Sequence, residues 1–253
     1  MINQIEIMGN KMILNPADNN LSRTLRKSII YENASIQIII KTLKPGQIFI
    51  NIGANIGYFT LILARIVGKE GNGYSFEPDL VNFGFLRKNI KLNGYENIIL
   101  EQCAVGDRDG MTYLYLNNKG NPGDHRTWID KSEPREKNQI KIISLDNYFK
   151  GSDEHIDFIK IDAQGYEGKI LDGMKNILTK QERLKIMMEI WPYGLYGCGS
   201  DPLKIASCLI HYGFHVFDII ENGTLKEINI INMIKNWPKN LTHKNIWLEK
   251  GVQ

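Results

Sequence analysis

The chain has little of what marks membrane, secreted or nucleic-acid-binding proteins. Its 253 residues include three cysteines, Cys103, Cys198 and Cys208, and no C-x-x-C pair. Because three cysteines cannot pair completely, a reduced setting is the simpler interpretation, and we expect a cytoplasmic protein. No apolar run approaches the roughly eighteen residues of a membrane span, and no signal-peptide pattern opens the sequence. We therefore expect no membrane partner.

Charge of one sign is also scarce, and repeats and low-complexity tracts are lacking. The formal net charge is +3, from 31 basic and 28 acidic residues. So small an excess indicates nucleic-acid binding only where basic residues cluster densely on one face. Arg23, Arg26 and Lys27 lie close together, but this group is not dense. Nucleic acid is therefore an unfavoured partner, and a homo-oligomer is left open.

What the chain does contain is an alternation of short apolar runs with longer runs of helical periodicity. A hydrophobic content of 43% suits one α/β domain with a sizeable core. Strands separated by single helices predict a mostly parallel sheet with helices on both faces. The predicted strands are residues 47–52, 74–76, 98–102, 158–161, 184–190, 214–219 and 245–248. The predicted helices are residues 58–67, 81–92, 168–178 and 203–212.

Two regions depart from this alternation. Residues 1–45 form an N-terminal extension that we expect to be helical and to pack on the domain formed by residues 46–253. Its one predicted helix, 35–43, ends before Lys44-Pro45-Gly46. The second region is 107–150, where residues 111–116 and 140–143 are predicted as added strands. The polar loop 117–138 between them is long enough to be functional or disordered.

The strongest local motif is a glycine-rich turn between the first strand and the first helix of the domain, with Gly53 and Gly57 on either side of Asn55. Gly53 can adopt backbone angles closed to other residues and lets a ligand lie against the chain. Gly57 is expected to allow close packing of helix and strand, and Asn55 to hydrogen-bond the turn or the ligand. In an open parallel sheet, ligands bind outside the carboxyl ends of the strands. A tight turn without a ligand is the plain alternative.

Glu77 ends the next strand and is the acidic partner of this turn. Its carboxylate can accept hydrogen bonds from both ribose hydroxyls of an adenosine moiety. The glycine spacing is G-x-x-x-G, whereas dinucleotide enzymes show G-x-G-x-x-G, in which the helix start meets a pyrophosphate. A ligand without a diphosphate fits this spacing better, so a nicotinamide oxidoreductase is the weakest alternative.

Several stretches of the sequence resemble the FkbM-type methyltransferase family. They are residues 51–60, 76–78, 89–93, 104–110, 121–126, 158–167 and 189–195. The resemblance implies the class I methyltransferase fold, a Rossmann-like sheet of seven strands with the last one antiparallel. It implies methyl transfer from S-adenosylmethionine, usually to a hydroxyl on a sugar, glycan or other small metabolite. The turn from Asn51 through Tyr58 would then hold this cofactor together with Glu77.

Asn51 and Gln164 depart from the commoner pattern of that family. Many relatives have Asp in place of Asn51, where a carboxylate would face the methionine ammonium of the cofactor, and an amide offers a weaker contact. Glu32 or Asp162 could supply the missing charge. Many relatives have Glu in place of Gln164, and glutamine marks one branch. Asn51 also leaves open a module that binds the cofactor without catalysis.

The residues after the third strand of the domain are candidates for the adenine site, by analogy with the fold. Cys103 and Ala104 would flank the adenine ring. Asp107 could accept a hydrogen bond from the adenine amine, although a simple turn role is equally plausible.

Three residues are candidates for the general base that a hydroxyl acceptor requires. Asp162 ends a buried strand at the edge where cofactor and acceptor should meet, although it could instead cap the next helix. Glu189 ends another strand beside Trp191 and Tyr193, which could hold a sugar face or only pack a corner. His125 lies in the long loop. The order among the three stays open.

The remaining alternatives concern metals and RNA. Asp162 and Glu189 could bind a divalent cation that acidifies the hydroxyl, but no compact ligand motif is present, so we expect no metal. Alternation along the strand predicts that Lys160 points away from Asp162. An RNA methyltransferase on the same fold is the main rival enzyme, and it would need a basic stripe with stacking aromatics.

Overall fold

Strands and helices alternate along most of the chain in the computed structural model, which describes residues 3–27, 30–238 and 242–251. The strands are β1 Gln4–Ile7, β2 Asn10–Ile13, β3 Ile48–Ile52, β4 Asn72–Phe76, β5 Ile98–Glu101, β6 Ala104–Val105, β7 Gly110–Tyr115, β8 Lys137–Ile143, β9 Phe158–Ile161, β10 Leu184–Ile190, β11 His215–Ile220, β12 Thr224–Glu227 and β13 Lys244–Lys250. The helices are α1 Leu21–Arg26, α2 Asn33–Thr42, α3 Tyr58–Val67, α4 Leu80–Leu92, α5 Leu145–Tyr148, α6 Glu167–Asp172, α7 Lys175–Lys180, α8 Pro192–Gly197, α9 Pro202–His211 and α10 Ile230–Lys235.

Eight strands form the central sheet, in the order β12-β11-β13-β10-β9-β3-β4-β5. The five strands from β10 to β5 run parallel. The last strand, β13, lies antiparallel between β10 and β11. The mostly parallel sheet with an antiparallel last strand is therefore confirmed. The strand count is eight and not seven, because β12 forms a hairpin with β11 at the edge. Its exposed, mixed sequence carries little strand signal.

Buried side chains cover both faces of this sheet, as predicted. One cluster includes Ile159, Ile186 and Leu209, and a second includes Leu61 and Phe158. The predicted helix 58–67 and the predicted strands 158–161 and 184–190 coincide with α3, β9 and β10. Within the described ranges, no helix combines the length and the apolar character that crossing a membrane requires.

The N-terminal extension begins with a β-hairpin, so the expectation of a helical extension is wrong for its first part. Met8 and Gly9 connect β1 to β2 with positive φ angles of 46° and 75°. Two asparagines, Asn89 in α4 and Asn93 at its C-terminal end, donate to and accept from backbone groups of β2 at 2.6–3.0 Å. The two side-chain amides satisfy backbone groups of β2 that a neighbouring strand would otherwise bond. No local sequence pattern predicts this tertiary contact. The hairpin thereby packs on the domain.

The predicted helix 168–178 is also wrong as a single element, because it is broken into α6 and α7 at Gly173. The Gly173 carbonyl accepts from the backbone N–H of Asp146, and the Asp146 carboxylate accepts from Asn176 N–H in the first turn of α7. A Cβ at Gly173 would overlap the carbonyl oxygen of Gly106. Close packing against a neighbouring loop therefore ends one helix and starts the next.

A second sheet, in the order β6-β8-β7, carries the long loop, and both predicted added strands are present. The loop between β7 and β8 is held by Arg126, whose guanidinium pairs with Asp124 at 2.8 Å and with Asp130 at 3.3 Å. The same guanidinium lies 4.7 Å from the centre of the Trp191 ring. These contacts tie the loop to the region after β10, at the carboxyl edge of the central sheet.

Substitution of Gly173 tests the contact that breaks the helix. Gly173→Ala should lower the free energy of unfolding by about 1–3 kcal/mol, because the added methyl group has no space. Gly84 is the matched control, since it lies inside α4 and a Cβ there would meet nothing within 4 Å. Gly84→Ala should raise the free energy of unfolding by about 0.4–1 kcal/mol. Urea denaturation followed by circular dichroism measures both. Similar effects of the two substitutions would contradict the close contact.

Candidate functional site

The carboxyl ends of five strands meet at one cavity. Gly53 follows β3, Glu77 follows β4, Cys103 follows β5, Asp162 follows β9, and Glu189 lies near the end of β10, and all five line the cavity. Of the other predicted residues, Asn55, Tyr58, Ala104 and His125 line it as well. Segments outside the sheet also line the cavity. They are residues 20–21, Tyr31 and, from the long loop, residues 121–123, 125 and 127.

The glycine turn passes very close to the end of β9. Gly53 has a φ of 76°, and a Cβ there would overlap the carbonyl oxygen of Asp162. Gly53 and Ala54 both donate their N–H groups to the carbonyl of Phe76 at 3.0 Å. The turn is therefore fixed against β4 and β9 by backbone alone, which leaves a bare peptide surface facing the cavity.

Glu77 holds the other side of the turn. Its carboxylate accepts hydrogen bonds from the backbone N–H of Asn55 at 2.7 Å and of Asp79 at 2.9 Å. Burial raises the pKa of Glu77 to about 8, against the two backbone donors, which act to lower the pKa. The side chain is thus placed by the turn and keeps lone pairs for a ligand at the cavity edge.

Asp162 forms an ion pair with Lys160, which corrects the prediction that the two side chains point apart. Lys160 Nζ lies 2.9 Å from Asp162 Oδ2. Residues two apart in a strand point to the same face, so the alternation should have predicted this contact. Burial opposes ionisation of Asp162, but the Lys160 ammonium outweighs it and holds the pKa of Asp162 below its ordinary value. Asp162 is therefore an ionised, paired carboxylate.

Glu189 differs from Asp162 because, among the described residues, no lysine or arginine forms an ion pair with it. Gln164 Nε2 donates to Asp162 Oδ1 at 2.8 Å and approaches Glu189 Oε2 at 3.4 Å. The exposed His243 has its Nε2 3.7 Å from Glu189 Oε1. Burial, and next the negative charge of Asp162, raise the pKa of Glu189 well above its ordinary value. Glu189 therefore holds a proton more strongly than a free carboxyl group does.

The turn that carries Gln164 is fixed from below by Glu167. Glu167 Oε1 accepts from the backbone N–H groups of Ala163 and Gly165 at 3.0 and 3.1 Å. Gln164 has a φ of 52°, which is unusual for a residue with a side chain. The carbonyl of Gln164 accepts from Trp128 Nε1 at 2.7 Å. The amide between the two acids is thus held in one orientation.

His125 lies in the cavity wall, and each of its ring nitrogens faces another polar group of the protein. Its Nδ1 accepts from the backbone N–H of Asn117 at 2.9 Å, and its Nε2 lies 4.0 Å from Asp79 Oδ1. Burial lowers the pKa of His125. The neutral ring therefore carries its proton on Nε2, which leaves no free lone pair for proton abstraction.

Asn51 is not among the residues that line the cavity. Its Nδ2 donates to Thr60 Oγ1 at 2.9 Å, and Thr60 is in turn hydrogen-bonded to Ser75 at 3.1 Å. The Oδ1 atom is buried and has no partner among the described residues. Asn51 thus belongs to a polar cluster beneath α3, and its predicted contact with the cofactor stays a prediction.

Gly57 and Asp107 also lie outside the cavity wall. A Cβ at Gly57 would meet Leu86 of α4 at 2.9 Å, so this glycine allows two helices, and not a helix and a strand, to pack closely. Asp107 pairs with Arg108 at 2.9 Å and with Lys169 at 3.3 Å. The pairing supports the alternative of a turn residue for Asp107.

The aromatic residues after Glu189 divide into a packing and an exposed part. Trp191 is buried against Trp128, with ring centres 6.0 Å apart. Tyr193 is 54% exposed, and its hydroxyl donates to Asp130 at 3.1 Å. Trp191 therefore packs a corner. Among the residues that the structure describes, no group of three or more His, Cys, Asp or Glu is arranged to hold a metal ion.

Sequence reasoning missed several residues of the cavity wall, among them Lys160, Gln164 and Tyr31. Lys160 is a buried charge within an apolar strand, a signal that could have marked it as a site residue. Gln164 was treated only as a family marker. Tyr31 lies in the extension, where no pattern pointed to it. The backbone carbonyl of Tyr31 accepts from the Tyr58 hydroxyl at 2.9 Å, so a contact with α3 brings it to the cavity.

The buried acids predict an unusual dependence of stability on pH. Burial raises the pKa of Glu77 to about 8 and of Glu32 and Glu167 to about 7. A carboxyl group whose pKa is higher in the folded state binds more protons there, so stability is lost as pH rises through the folded pKa. The lowered pKa of His125 makes stability rise with pH, but this is one group, whereas several acids have raised pKa values.

We therefore expect the melting temperature of the ligand-free protein to fall between about pH 5 and pH 8. Glu77→Gln should flatten this fall, because it removes a group whose pKa is raised to about 8 in the folded protein. The exposed Glu70 provides the control, and Glu70→Gln should leave the slope unchanged. Differential scanning calorimetry across the range measures the slopes. A slope that is identical in all three proteins would contradict the raised pKa of Glu77.

Comparison with known proteins matches residues 51–216 to the methyltransferase FkbM domain. Two curated protein-L-isoaspartate O-methyltransferases show partial similarity. The one from Methanosarcina mazei is 35% identical over 69 residues, which cover 26% of this chain and 28% of that protein. The one from Methanothermobacter thermautotrophicus is 36% identical over 59 residues, which cover 23% and 27%. The chain thus spans less than a third of the length of these curated relatives.

Two solved structures show the same fold. A protein from Clostridium thermocellum, described as an rRNA methylase, has a TM-score of 0.50 and 12% identity and covers 89% of this chain and 99% of that one. A protein from Streptococcus mutans, described as a methyltransferase in complex with SAH, has a TM-score of 0.50 and 15% identity and covers 88% and 99%. The fold is therefore that of class I methyltransferases. Because the matched domain covers most of the chain, the protein belongs to the FkbM methyltransferase family, a family of S-adenosylmethionine-dependent enzymes.

Proposed function

We propose that this protein transfers a methyl group from S-adenosylmethionine to a hydroxyl oxygen of a sugar, a glycan or another small metabolite. One observation carries the proposal: a single cavity joins Glu77 and the glycine turn to the acids Asp162 and Glu189. Because of the strand order, Glu77, which follows β4, lies at one side of the cavity, and Glu189 of β10 lies at the other side. The partial similarity to two O-methyltransferases agrees with an oxygen acceptor.

The residues on the β4 side fit the adenosine portion of this cofactor. Gly53 lines the cavity with backbone alone, because the Asp162 carbonyl occupies the position that a side chain would need. Glu77 is buried, placed by two backbone donors, and able to accept hydrogen bonds from a ribose diol. Cys103 and Ala104 present a small, apolar wall suited to an adenine ring. The cavity therefore provides both a polar and an apolar surface for a nucleoside.

Glu189 is the best general base of the three candidates. When bound, S-adenosylmethionine would supply an electrophilic methyl group, and the acceptor hydroxyl must lose its proton. The raised pKa of Glu189 makes its carboxylate a stronger base than that of Asp162, whose pKa is lowered. Asp162 is a weaker base because Lys160 stabilises its charged form. The neutral His125 ring offers no free lone pair.

The part of the cavity wall that the long loop and Tyr31 form supports the same reaction, because it limits the access of water. The long loop contributes Pro122, Gly123 and Thr127 to the wall, and Tyr31 contributes from the extension. The two segments touch each other, since the backbone N–H of Asn19 donates to the carbonyl of Gly120 at 2.7 Å. Exclusion of water strengthens electrostatic interactions with the reacting groups and prevents hydrolysis.

The experiment that tests this function follows the methyl group. The protein is incubated with S-adenosylmethionine carrying a tritiated methyl group and with separated pools of free sugars, glycans and small hydroxylated metabolites. We expect label to enter one of these pools. Label that mild base releases as methanol would indicate a methyl ester on a carboxylate, and label that ribonuclease releases would indicate RNA. Either result in place of base-stable label would contradict the proposal.

Glu77→Gln tests the adenosine side. The substitution should weaken binding of S-adenosylhomocysteine by roughly 10- to 100-fold, because the glutamine amide keeps only one of the two side-chain oxygens that would face the ribose diol. Isothermal titration calorimetry measures the affinity, and Glu70→Gln serves as the control on an exposed acid. Unchanged affinity in Glu77→Gln would show that this carboxylate does not hold the ribose.

Glu189→Gln tests the base. With an acceptor found in the label experiment, kcat should fall by about 10²- to 10⁴-fold. Affinity for S-adenosylhomocysteine should change by less than about 3-fold, since the role of Glu189 is toward the acceptor. The rise of the wild-type rate with pH should disappear in the variant. The exposed Glu182 provides the control, Glu182→Gln. A variant with a full rate and an unchanged pH profile would exclude Glu189 as the base.

A further inference from the structure

The buried ammonium of Lys160 has more donors than partners. Lys160 is only 2% exposed, yet it lines the cavity. Its three N–H donors have one hydrogen-bond acceptor among the described residues, Asp162 Oδ2 at 2.9 Å. The Phe59 ring, centred 4.6 Å away, provides a further favourable contact but no hydrogen bond. A buried cation with unused donors is costly unless a ligand satisfies them.

Lys160 lies beside the position where the family pattern expects a contact to the cofactor. It is the register partner of Asn51 on the neighbouring strand. Asn51, however, donates to Thr60 and does not line the cavity. The adjoining wall therefore offers a cation, Lys160, immediately next to an anion, Asp162. Such a pair complements an amino-acid zwitterion, in which the ammonium and carboxylate groups are attached to the same carbon.

We propose that Lys160 binds the carboxylate of the methionine portion of the cofactor, while Asp162 accepts a hydrogen bond from its ammonium group. This inference rests on the proposed function, and it adds recognition of the amino-acid portion to that of the nucleoside. Lys160 is thereby assigned a binding role in place of a purely structural one. Glu189 is left free for the acceptor.

The electrostatics of the pair agree with this assignment. Burial acts to lower the pKa of Lys160, but Asp162 and then Glu32 raise it above its ordinary value. The same interaction holds the pKa of Asp162 down. Both groups therefore stay charged at neutral pH, so a zwitterionic ligand finds a preformed partner for each of its charges.

The test changes the ligand first, because this leaves the protein intact. Isothermal titration calorimetry on the wild-type chain compares S-adenosylhomocysteine with its decarboxylated analogue, which keeps the ammonium group and lacks the carboxylate. We expect S-adenosylhomocysteine to bind roughly 10- to 100-fold more tightly, the range of a charge-assisted hydrogen bond. Equal affinities would overturn the role of Lys160. If 5′-methylthioadenosine, S-adenosylhomocysteine and the analogue all fail to bind, the proposed function itself is overturned.

A matched pair of variants then assigns the effect to one side chain. Lys160→Met should remove the preference for the carboxylate while changing affinity for 5′-methylthioadenosine by less than about 3-fold. Lys185→Met, a strand lysine that does not line this cavity, should keep the full preference. A preference that survives in a folded Lys160→Met protein would overturn the proposal. If this variant does not fold, the comparison of ligands on the wild-type chain still decides.

Discussion

The cavity depends on the close approach of Gly53 to the backbone of Asp162. No side chain fits between the turn after β3 and the end of β9, so these two elements are in direct contact. Glu77 fixes the far side of the same turn through the N–H of Asn55. The turn is thus held on both sides, and the groups suited to a nucleoside and those suited to proton transfer face one space. An alanine in place of Gly53 would separate them.

The acids around this space have different properties because, in the part of the chain that the structure describes, Asp162 pairs with a lysine and Glu189 does not. Asp162 touches Lys160 and is stabilised as an anion. Glu189 is close to Asp162, and both burial and repulsion raise its pKa. Carboxyl groups in unlike environments can serve unlike roles, and in the proposed mechanism Asp162 acts electrostatically while Glu189 takes the proton. Gln164 lies between the two acids and adds hydrogen bonds without adding a third charge.

The sequence predicts best what depends on local pattern. Strand β9 and helix α3 have continuous or periodic apolar faces, and the carboxyl ends of parallel strands must share an edge, so Gly53, Glu77 and Asp162 were expected together. Contacts between distant segments carry no such pattern. The hairpin held by Asn89, the helix break at Gly173 and the position of Tyr31 all depend on partners remote in sequence. Lys160 is different, because strand alternation by itself places its side chain on the same face as that of Asp162.

The wall of the cavity is not made by the matched domain alone. Residues 51–216 include the glycine turn, Glu77, Asp162 and Glu189. Tyr31 and His243 lie outside that range and also line the cavity. His243 approaches Glu189. Burial raises the pKa of the Tyr31 phenol, and the nearby charges of Asp162 and Glu189 raise this pKa further. Proteins that share the matched domain can therefore share the side of the cavity that we propose for the nucleoside and still differ where it faces Glu189, the proposed position of the acceptor.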